Sequence, residues 1–483
     1  MSWGRAALWG SVGLTCLLLL ALARGAGSGA APSTLALLLA LAFVPYAWLA
    51  SSAELVAPRE ALGLGFAAAA IAGTALVLAP VSLSDDVYRY LWDARVTLSG
   101  HNPYAHAPVD PVLAALRNAD WQRINHPEVP TVYPPLAEAF FVLCAALWQD
   151  VRIFKLMALV LHLLSAMLVF AAATERATRA ALLCGLNPLA LTESALGGHV
   201  DTAVALTLVA FVLALGSGRP GSSALLLGIA SGLKLVGLAL VPLLARAGGR
   251  AWLLALGLSL VAFAPFAMEG HAGTSSGLGH YAQRWRGNEA AFALLDRLTR
   301  GLVDAAADAR RSPPGQIELR ELRTLLARLR SSALDPHAVL VGEKKQLGDV
   351  ALLPRHYVAG LLARLLALAL LLGYAMWAAR CGCDAVLATR NLVLVVLLLS
   401  PQVHPWYLVW LIPLEVMARR TAGLVWSATA ALAYAPLDGW VLAHRWTEPA
   451  MLKTLEYAPV LAVMAFESQW LRRYLTGRPL PLR

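Results

Sequence analysis

Two adjacent carboxylates, Asp85 and Asp86, stand near the start of a polar stretch, residues 84–135, between apolar segments. In a chain with 59% hydrophobic and 14% charged residues, so charged a run cannot lie in hydrocarbon. It must form a loop outside the membrane, and loops of this length are usually functional. A positioned carboxylate can accept a proton from a hydroxyl group, so this loop is the first candidate for catalysis.

The residues after Ser84 predict a short helix from Asp85 to about Leu98, which Gly100 ends. Ser84 is a favourable N-cap, and the aspartates of the first turn suit the positive end of the helix dipole. A catalytic carboxylate would therefore stand at the head of this helix, directly after a membrane span.

Helical spacing arranges five polar residues of this helix in two rows. Asp86, Tyr90 and Asp93 share one face, and Asp85, Arg89 and Asp93 form a second, overlapping row. The alternative to catalysis is that the aspartates only cap the helix and pair with Arg89 at its surface.

Three ionisable residues, His199, Asp201 and Lys234, interrupt later apolar segments. Such residues are costly in hydrocarbon and indicate function. Lys234 could bind a lipid phosphate as a point charge, or its apolar stem could let it snorkel to an interface. Counting crossings places His199 on the cytoplasmic side, opposite the aspartates, unless one short segment before it fails to cross.

A second polar stretch, residues 270–356, begins with HYAQRWRGNEAAF. A guanidinium group can bind two phosphate oxygens at once, and flat aromatic faces can pack on sugar rings. An aromatic belt at the membrane interface explains Trp285 equally well. Further on, residues 316–330 predict an amphipathic helix on the membrane surface. The candidate binding residues of this stretch are Tyr281, Arg284, Trp285 and Asn288.

His404 lies in the sequence SPQVHPWYL, where prolines stand on both sides of Val403 and His404. Proline restricts both its own backbone and that of the preceding residue, so this segment predicts a fixed turn at an external helix end. The turn would aim His404 at the outer interface, either as a structural turn residue or as a contact for phosphate or hydroxyl.

Four segments, DDVYRYLWDARV, GHNPY, WQRINHPEVPTVYPP and SPQVHPWYL, resemble the polyprenyl-phosphate-sugar-dependent glycosyltransferases of the GT-C superfamily, particularly its bacterial mannosyltransferase-type members. The resemblance covers most of the chain from about Ala61 onward. It implies a multi-pass enzyme whose first large external loop carries the catalytic aspartate, here Asp85 or Asp86. The residues expected to bind substrate are Arg89, Tyr90, Asp93, His199, Asp201, Lys234, Tyr281, Arg284, Trp285, Asn288 and His404, and no metal is expected.

The reaction that this resemblance implies is transfer of a hexose, with mannose expected, from a polyprenyl-phosphate carrier to an acceptor hydroxyl on the extracytoplasmic face, with inversion. The lipid-linked sugar is the donor substrate, no separate cofactor is implied, and the acceptor is a lipid, a glycan or a protein. The alternative is a secondary transporter. The polar residues argue against it, because they concentrate in two long loops rather than in paired helix breaks. A non-catalytic membrane scaffold is a further alternative.

Apolar runs predict an all-α, polytopic integral membrane protein of GT-C type, with about 12–14 transmembrane helices and two large external loops, residues 84–135 and 270–356. We expect an N-terminal hairpin at 1–60 and a catalytic domain at 61–483. By the positive-inside rule, basic loops lie in the cytoplasm with both termini, in the inner or plasma membrane. These loops contain Arg246, Arg250, Arg380, Arg390, Arg419, Arg420, Arg472 and Arg473.

The net charge of +10 is spread over these loops rather than clustered on a soluble domain. This distribution argues against nucleic acid as a partner and favours anionic lipid headgroups. The five cysteines imply no disulfide framework or zinc site. No phosphate-cradling glycine loop is present, which argues against use of a nucleotide sugar at a soluble domain.

Overall fold

The computed structural model describes residues 3–52, 57–173, 177–247, 250–261, 277, 279, 281, 285–309, 316–318 and 352–475. Within these ranges the chain is a helical bundle, which confirms the all-α, multi-pass fold. Five helices are long and apolar enough to cross a membrane, and seven shorter apolar helices accompany them. The five long segments are Trp3–Gly27, Pro32–Leu49, Pro58–Leu78, Val151–Ala172 and Arg355–Arg380.

The first half of the chain contains both long apolar helices and short helices, some of which lie in the first polar loop. Two short 3-10 helices, Pro111–Leu116 and Trp121–Arg123, lie within that loop. The α-helices are α1 Trp3–Gly27, α2 Pro32–Ser52, α3 Pro58–Leu78, α4 Asp86–Leu98, α5 Pro135–Leu147, α6 Val151–Ala172, α7 Ala177–Gly185, α8 Pro188–Leu191, α9 Asp201–Gly216, α10 Pro220–Leu233, α11 Val236–Leu240 and α12 Ala251–Val261.

In the second half of the chain, two 3-10 segments, Pro405–Trp410 and Ala430–Tyr434, interrupt the α-helices. Another 3-10 segment, Val241–Ala247, continues α11. The remaining elements are α13 Ala291–Ala309, β1 Gln316–Glu318, β2 Leu352–Pro354, α14 Arg355–Arg380, α15 Ala385–Leu399, α16 Ile412–Ala418, α17 Ala422–Thr429, α18 Pro436–Ala443 and α19 Ala450–Leu475.

The N-terminal helices form a hairpin that is tied to the rest of the bundle. Helix α1 packs against both α2 and α3. Arg5 donates to both carboxylate oxygens of Glu60 at 2.7 Å, and Trp9 donates to the same carboxylate at 3.0 Å. The hairpin thus shares a surface with α3, and a domain boundary at residue 60 stays a prediction.

The amphipathic helix predicted at 316–330 was wrong over its first three residues. Gln316–Glu318 pairs as an antiparallel strand with Leu352–Pro354, with Gln316 opposite Pro354. The rest of that prediction lies outside the described residues. Among the described residues of the second polar stretch, α13 forms an amphipathic helix that packs along α14.

One prediction about loops needs correction. Arg390 is not a loop residue, since it is buried within α15 and forms ion pairs with Glu415 at 2.6 Å and Glu467 at 3.4 Å. A buried arginine with acidic partners does not indicate which side of the membrane it lies on. The positive-inside assignment therefore rests on fewer basic residues. Cys381 and Cys383 are joined by a disulfide, a link across a single intervening residue rather than a framework.

Candidate active site

The first polar loop begins where α3 ends, and its helix starts one residue later than predicted. Asp85 is the N-cap of α4, while Ser84 Oγ accepts a hydrogen bond from the backbone N–H of Asp86 at 3.3 Å. Leu83, just before them, has a φ of 67°, a left-handed conformation that is strained for leucine. This tight entry turns the chain sharply between the membrane span and the loop helix.

A cavity of about 890 Å³ lies at the head of α4. Its size falls within the range of small-molecule sites, and loops far apart in sequence contribute to its wall. Apolar side chains such as Leu83, Val132 and Leu437 line it together with polar ones. The predicted site residues on its wall are Asp85, Asp86, Arg89, Lys234, Tyr281, Trp285, Asn288 and His404.

Four predicted binding residues, Tyr90, Asp93, His199 and Asp201, are buried behind the lining, and Arg284 lies outside the described residues. Tyr90 stacks on the ring of Phe141 with centroids 4.3 Å apart. These four side chains support the wall and cannot touch a ligand in this arrangement.

Arg89 and Asp93 form a buried ion pair. Arg89 Nε lies 2.8 and 2.9 Å from the two carboxylate oxygens of Asp93, whose side chain is 1% exposed. The pairing on the loop helix is therefore real, but it is buried rather than at the surface. Removing one partner of such a pair is strongly destabilising because it leaves an uncompensated charge.

Asp85 lines the cavity and accepts a side-chain hydrogen bond from the other end of the loop. The side-chain amide of Asn125 donates to its Oδ1 at 2.5 Å. Burial, and next the charge of Asp86, raise the pKa of Asp85 to about 7. A carboxylate with that pKa is suited to accept a proton near neutral pH.

Asp86 faces His199 instead. Its Oδ2 lies 3.9 Å from His199 Nδ1, which is also 3.4 Å from the hydroxyl of Tyr90. The other ring nitrogen of His199 lies 3.3 Å from Glu193, which in turn accepts a hydrogen bond from Tyr434. Asp86 thus lies between the cavity that it lines and a buried polar chain, at ion-pair rather than hydrogen-bond distance from His199.

The same contacts decide between the two alternatives for the side of His199. Its ring lies beside Asp86, which favours the alternative that one short segment before it fails to cross. The apolar run before it is not one crossing helix, because it is divided into α7, the four-residue α8 and a π-helical turn, Thr192–Leu196. Gly198, with a φ of 70°, then leads the chain to His199.

Aromatic rings form the wall on the side of the 3-10 helix Pro405–Trp410. Trp406 is sandwiched between the rings of His199 and His404, at centroid distances of 4.2 and 4.1 Å. His404 is thus fixed by stacking and lines the cavity, as the proline-flanked turn suggested. Trp406 thus connects the cavity-lining His404 to the buried His199 by ring stacking.

Lys234 lies at the C-cap of α10 and lines the same cavity. Its Nζ is 3.3 Å from Asp201 Oδ2 and 4.6 Å from the centre of the Tyr407 ring. Lys234 has no acidic residue near it along the chain, yet the fold supplies one from α9. This pairing retains a cation at the cavity wall, where phosphate oxygens could approach it.

Sequence reasoning missed several lining residues. Asn125 gave no signal, since an asparagine in a loop is usually a turn former. The polar residues between the last two apolar runs were a usable signal, because the crossing count put them on the same side as the first polar loop. The missed residues include Asn125, Gln402, Tyr407, Tyr434, Trp440, Trp446, Glu448, Lys453 and Glu456.

Among the described residues, no group of three or more His, Cys, Asp or Glu side chains is arranged to hold a metal ion. Nothing in the cavity tests whether the reaction needs a metal or another cofactor. The expectation that none is needed therefore stays a prediction.

The described residues form a bundle of apolar helices with a carboxylate-lined cavity at the head of a loop helix, which is the arrangement of a multi-pass membrane protein with a candidate active site. The family model described as "Alpha-(1->6)-mannopyranosyltransferase, N-terminal domain" matches residues 1–249, and that of glycosyltransferase family 87 matches residues 131–401. The chain belongs to these glycosyltransferase families, which identifies a membrane glycosyltransferase of the GT-C class rather than a transporter or a scaffold. No curated protein and no solved structure matches the chain significantly.

Proposed function

We propose that this enzyme transfers mannose from a polyprenyl-phosphate carrier to an acceptor hydroxyl on the extracytoplasmic face of the cell membrane, with inversion at the anomeric carbon. The observation that carries the proposal is Asp85, a carboxylate with a pKa of about 7 on the wall of a cavity that also contains Lys234. A base and a cation in one cavity meet the two electrostatic demands of the reaction.

Asp85 takes the proton of the acceptor hydroxyl, and the hydroxyl oxygen forms a bond to the anomeric carbon of the donor. The bond from that carbon to the phosphate oxygen breaks on the opposite face, and its electron pair leaves with the polyprenyl phosphate. A single displacement of this kind inverts the configuration. Lys234 stabilises the departing phosphate, and the apolar part of the lining receives the first units of the carrier.

Asp86 orients the helix head rather than accepting the proton. Its carboxylate lies 3.9 Å from the ring of His199, whereas Asp85 accepts a hydrogen bond from the side-chain amide of Asn125. The negative charge of Asp86 also keeps the pKa of Asp85 high. Asp85 thus acts as the base, and Asp86 acts as a positioning residue.

The proposed sidedness rests on the basic residues at the opposite ends of the helices. Arg419 and Arg420 follow α16 in a short turn, and such basic turns lie in the cytoplasm. The first polar loop then lies outside, with both termini in the cytoplasm. The lipid carrier would reach the cavity from the outer leaflet.

The proposal is tested with purified enzyme in lipid and radiolabelled polyprenyl-phosphate mannose. Release of polyprenyl phosphate together with an α-linked product from the β-linked donor, assigned by NMR, supports it. Transfer from a nucleotide sugar but not from the lipid-linked donor would overturn it. A product that keeps the donor's anomeric configuration would overturn the single displacement.

A further inference from the structure

Helix α18 and the start of α19 form one edge of the cavity. Trp440 of α18 and Leu452 of α19 line the cavity, and so does Trp446 in the turn between them. The two tryptophans are also 41% and 48% exposed. We call residues 437–455 the α18–α19 rim, because the cavity wall continues here into the outer surface of the protein.

The outer side of this rim is apolar. Next to Trp440, Val441 and Leu442 are 63% and 85% exposed, and neither of them lines the cavity. Next to Leu452, Met451 is 68% exposed on the outside as well. Large apolar side chains that cluster on a surface mark a contact with a membrane or an apolar ligand. The rim therefore joins the cavity to an apolar environment.

The turn in the rim is fixed by backbone contacts. His444 N–H donates to Trp440 O at 2.9 Å, and Arg445 N–H donates to Gly439 O at 3.1 Å. His444 has a φ of 51°, a left-handed conformation that ends the helix. A Cβ at Gly439 would lie 2.8 Å from Arg445 O, so the turn packs closely against α18. The shape of the rim is thus determined by the fold.

Two observations put the rim at the outer interface of the membrane. Ser33, at the start of α2, donates its backbone N–H to Asp438 Oδ1 at 3.0 Å. Under the proposed sidedness α1 leads outward, so the start of α2 lies on the extracytoplasmic side. His444 and Arg445 are exposed, and such residues lie at the level of the lipid headgroups rather than in hydrocarbon. The apolar residues of the rim therefore reach the outer leaflet.

The donor needs an apolar exit from the cavity. Its phosphate is placed at Lys234, and Leu235, Leu432 and Leu437 line the same cavity. A cavity of about 890 Å³ encloses a ligand of drug size, so it cannot hold two sugars and a long polyprenyl chain together. The rest of the chain must leave through an edge where it stays in contact with apolar groups. The α18–α19 rim provides such an edge.

We propose that the α18–α19 rim is the portal through which the polyprenyl chain of the donor passes from the cavity into the outer leaflet. Trp440 contacts the isoprene units inside the portal, and Leu442 contacts those just outside it. The portal presupposes the proposed function, since a lipid-linked donor is what passes through it. It specifies the side of the bundle from which that donor enters.

The first test is photo-crosslinking of the full-length enzyme in lipid nanodiscs. The probe is polyprenyl phosphate with a photoreactive group on an isoprene unit near the phosphate. Illumination should label peptides within residues 437–455, and an excess of unlabelled polyprenyl phosphate should abolish that label. Label confined to other segments would overturn the portal. Rim label that survives the excess would also overturn it, because it would show an interfacial aromatic belt in contact with bulk lipid.

The second test blocks the portal after the protein has folded. Leu442→Cys is modified with a negatively charged thiol reagent, which reaches this position because Leu442 is 85% exposed. A charge in the path of a hydrocarbon chain should raise the KM for the long-chain donor at least about tenfold. A donor with about two isoprene units should be affected much less, because its apolar chain ends inside the cavity. The KM for the acceptor should not change.

Leu302→Cys is the matched control, since Leu302 is 60% exposed on α13 and does not line the cavity. Its modification, and treatment of wild type with the same reagent, should leave every KM unchanged. The portal is overturned if modified Leu442→Cys shows the same change for long and short donors, or no change for either. Competable rim label on an enzyme that does not transfer mannose would uphold a polyprenyl portal and refute the proposed reaction instead.

Discussion

Replacing Asn125 by alanine should move the acid limb of the activity profile to higher pH. The amide of Asn125 donates to Asp85 at 2.5 Å and lowers the pKa of that carboxyl against the raising effects of burial and Asp86. Because Asp85 must be ionised to act as a base, activity should rise with pH through about 7 in wild type. Without the amide, the ionised form loses its stabilising donor, so the pKa rises further.

A hydrogen bond to a charged group contributes about 1.5–3 kcal/mol, and one pKa unit corresponds to about 1.4 kcal/mol, so the limb should move up by roughly one to two units. At pH 7 the ionised fraction of Asp85 would fall from about half to roughly 1–10%, which lowers kcat/KM by about 5- to 50-fold. At pH 10 the variant should approach the wild-type rate.

The assay is kcat/KM for the lipid-linked donor, measured from pH 5 to 10 with purified enzyme. Asn118→Ala is the matched control, since that amide bonds Asp120 on the exposed part of the same loop. A loss of activity that is equal at every pH would refute the reasoning, because it would show that Asn125 positions a group rather than tuning the basicity of Asp85.

Two further predictions address the donor and the topology. Lys234→Gln and Arg284→Gln should each raise the KM for the lipid-linked donor, or lower kcat if the contact strengthens in the transition state, and wild-type kinetics in both would refute cation binding of the phosphate. Cysteines at Val112 and Arg419, tested on intact cells with an impermeant thiol reagent, should label only at Val112. Labelling at Arg419 would contradict the proposed sidedness.

The local features of the site could be predicted from sequence because they depend on neighbours along the chain. Helix α4 was expected within one residue, since capping and the glycine stop act over a few positions. The turn at His404 was expected because proline restricts its own backbone and that of the residue before it. The composition of the chain likewise determined the membrane class.

Contacts between distant segments could not be predicted in the same way. The pairing of Lys234 with Asp201 joins α10 to α9, and the contact of Asn125 with Asp85 joins the two ends of one loop. Neither pair has a periodic relation in sequence. The side of His199 stayed open for a different reason, because a π-helical turn and short helices replace the crossing that a length rule assumes.

The most direct test of the central claim compares Asp85→Asn with Asp86→Asn in the transfer assay. Asparagine keeps the size and the hydrogen-bonding capacity of the side chain but removes its basicity, and a positioned base contributes on the order of 10²–10⁴ in rate. Asp85→Asn should abolish transfer while protein level and binding of the lipid-linked donor stay normal, and Asp86→Asn should retain measurable transfer. Full activity of Asp85→Asn, or a greater loss in Asp86→Asn at equal protein level, would contradict the assignment of Asp85 as the catalytic base.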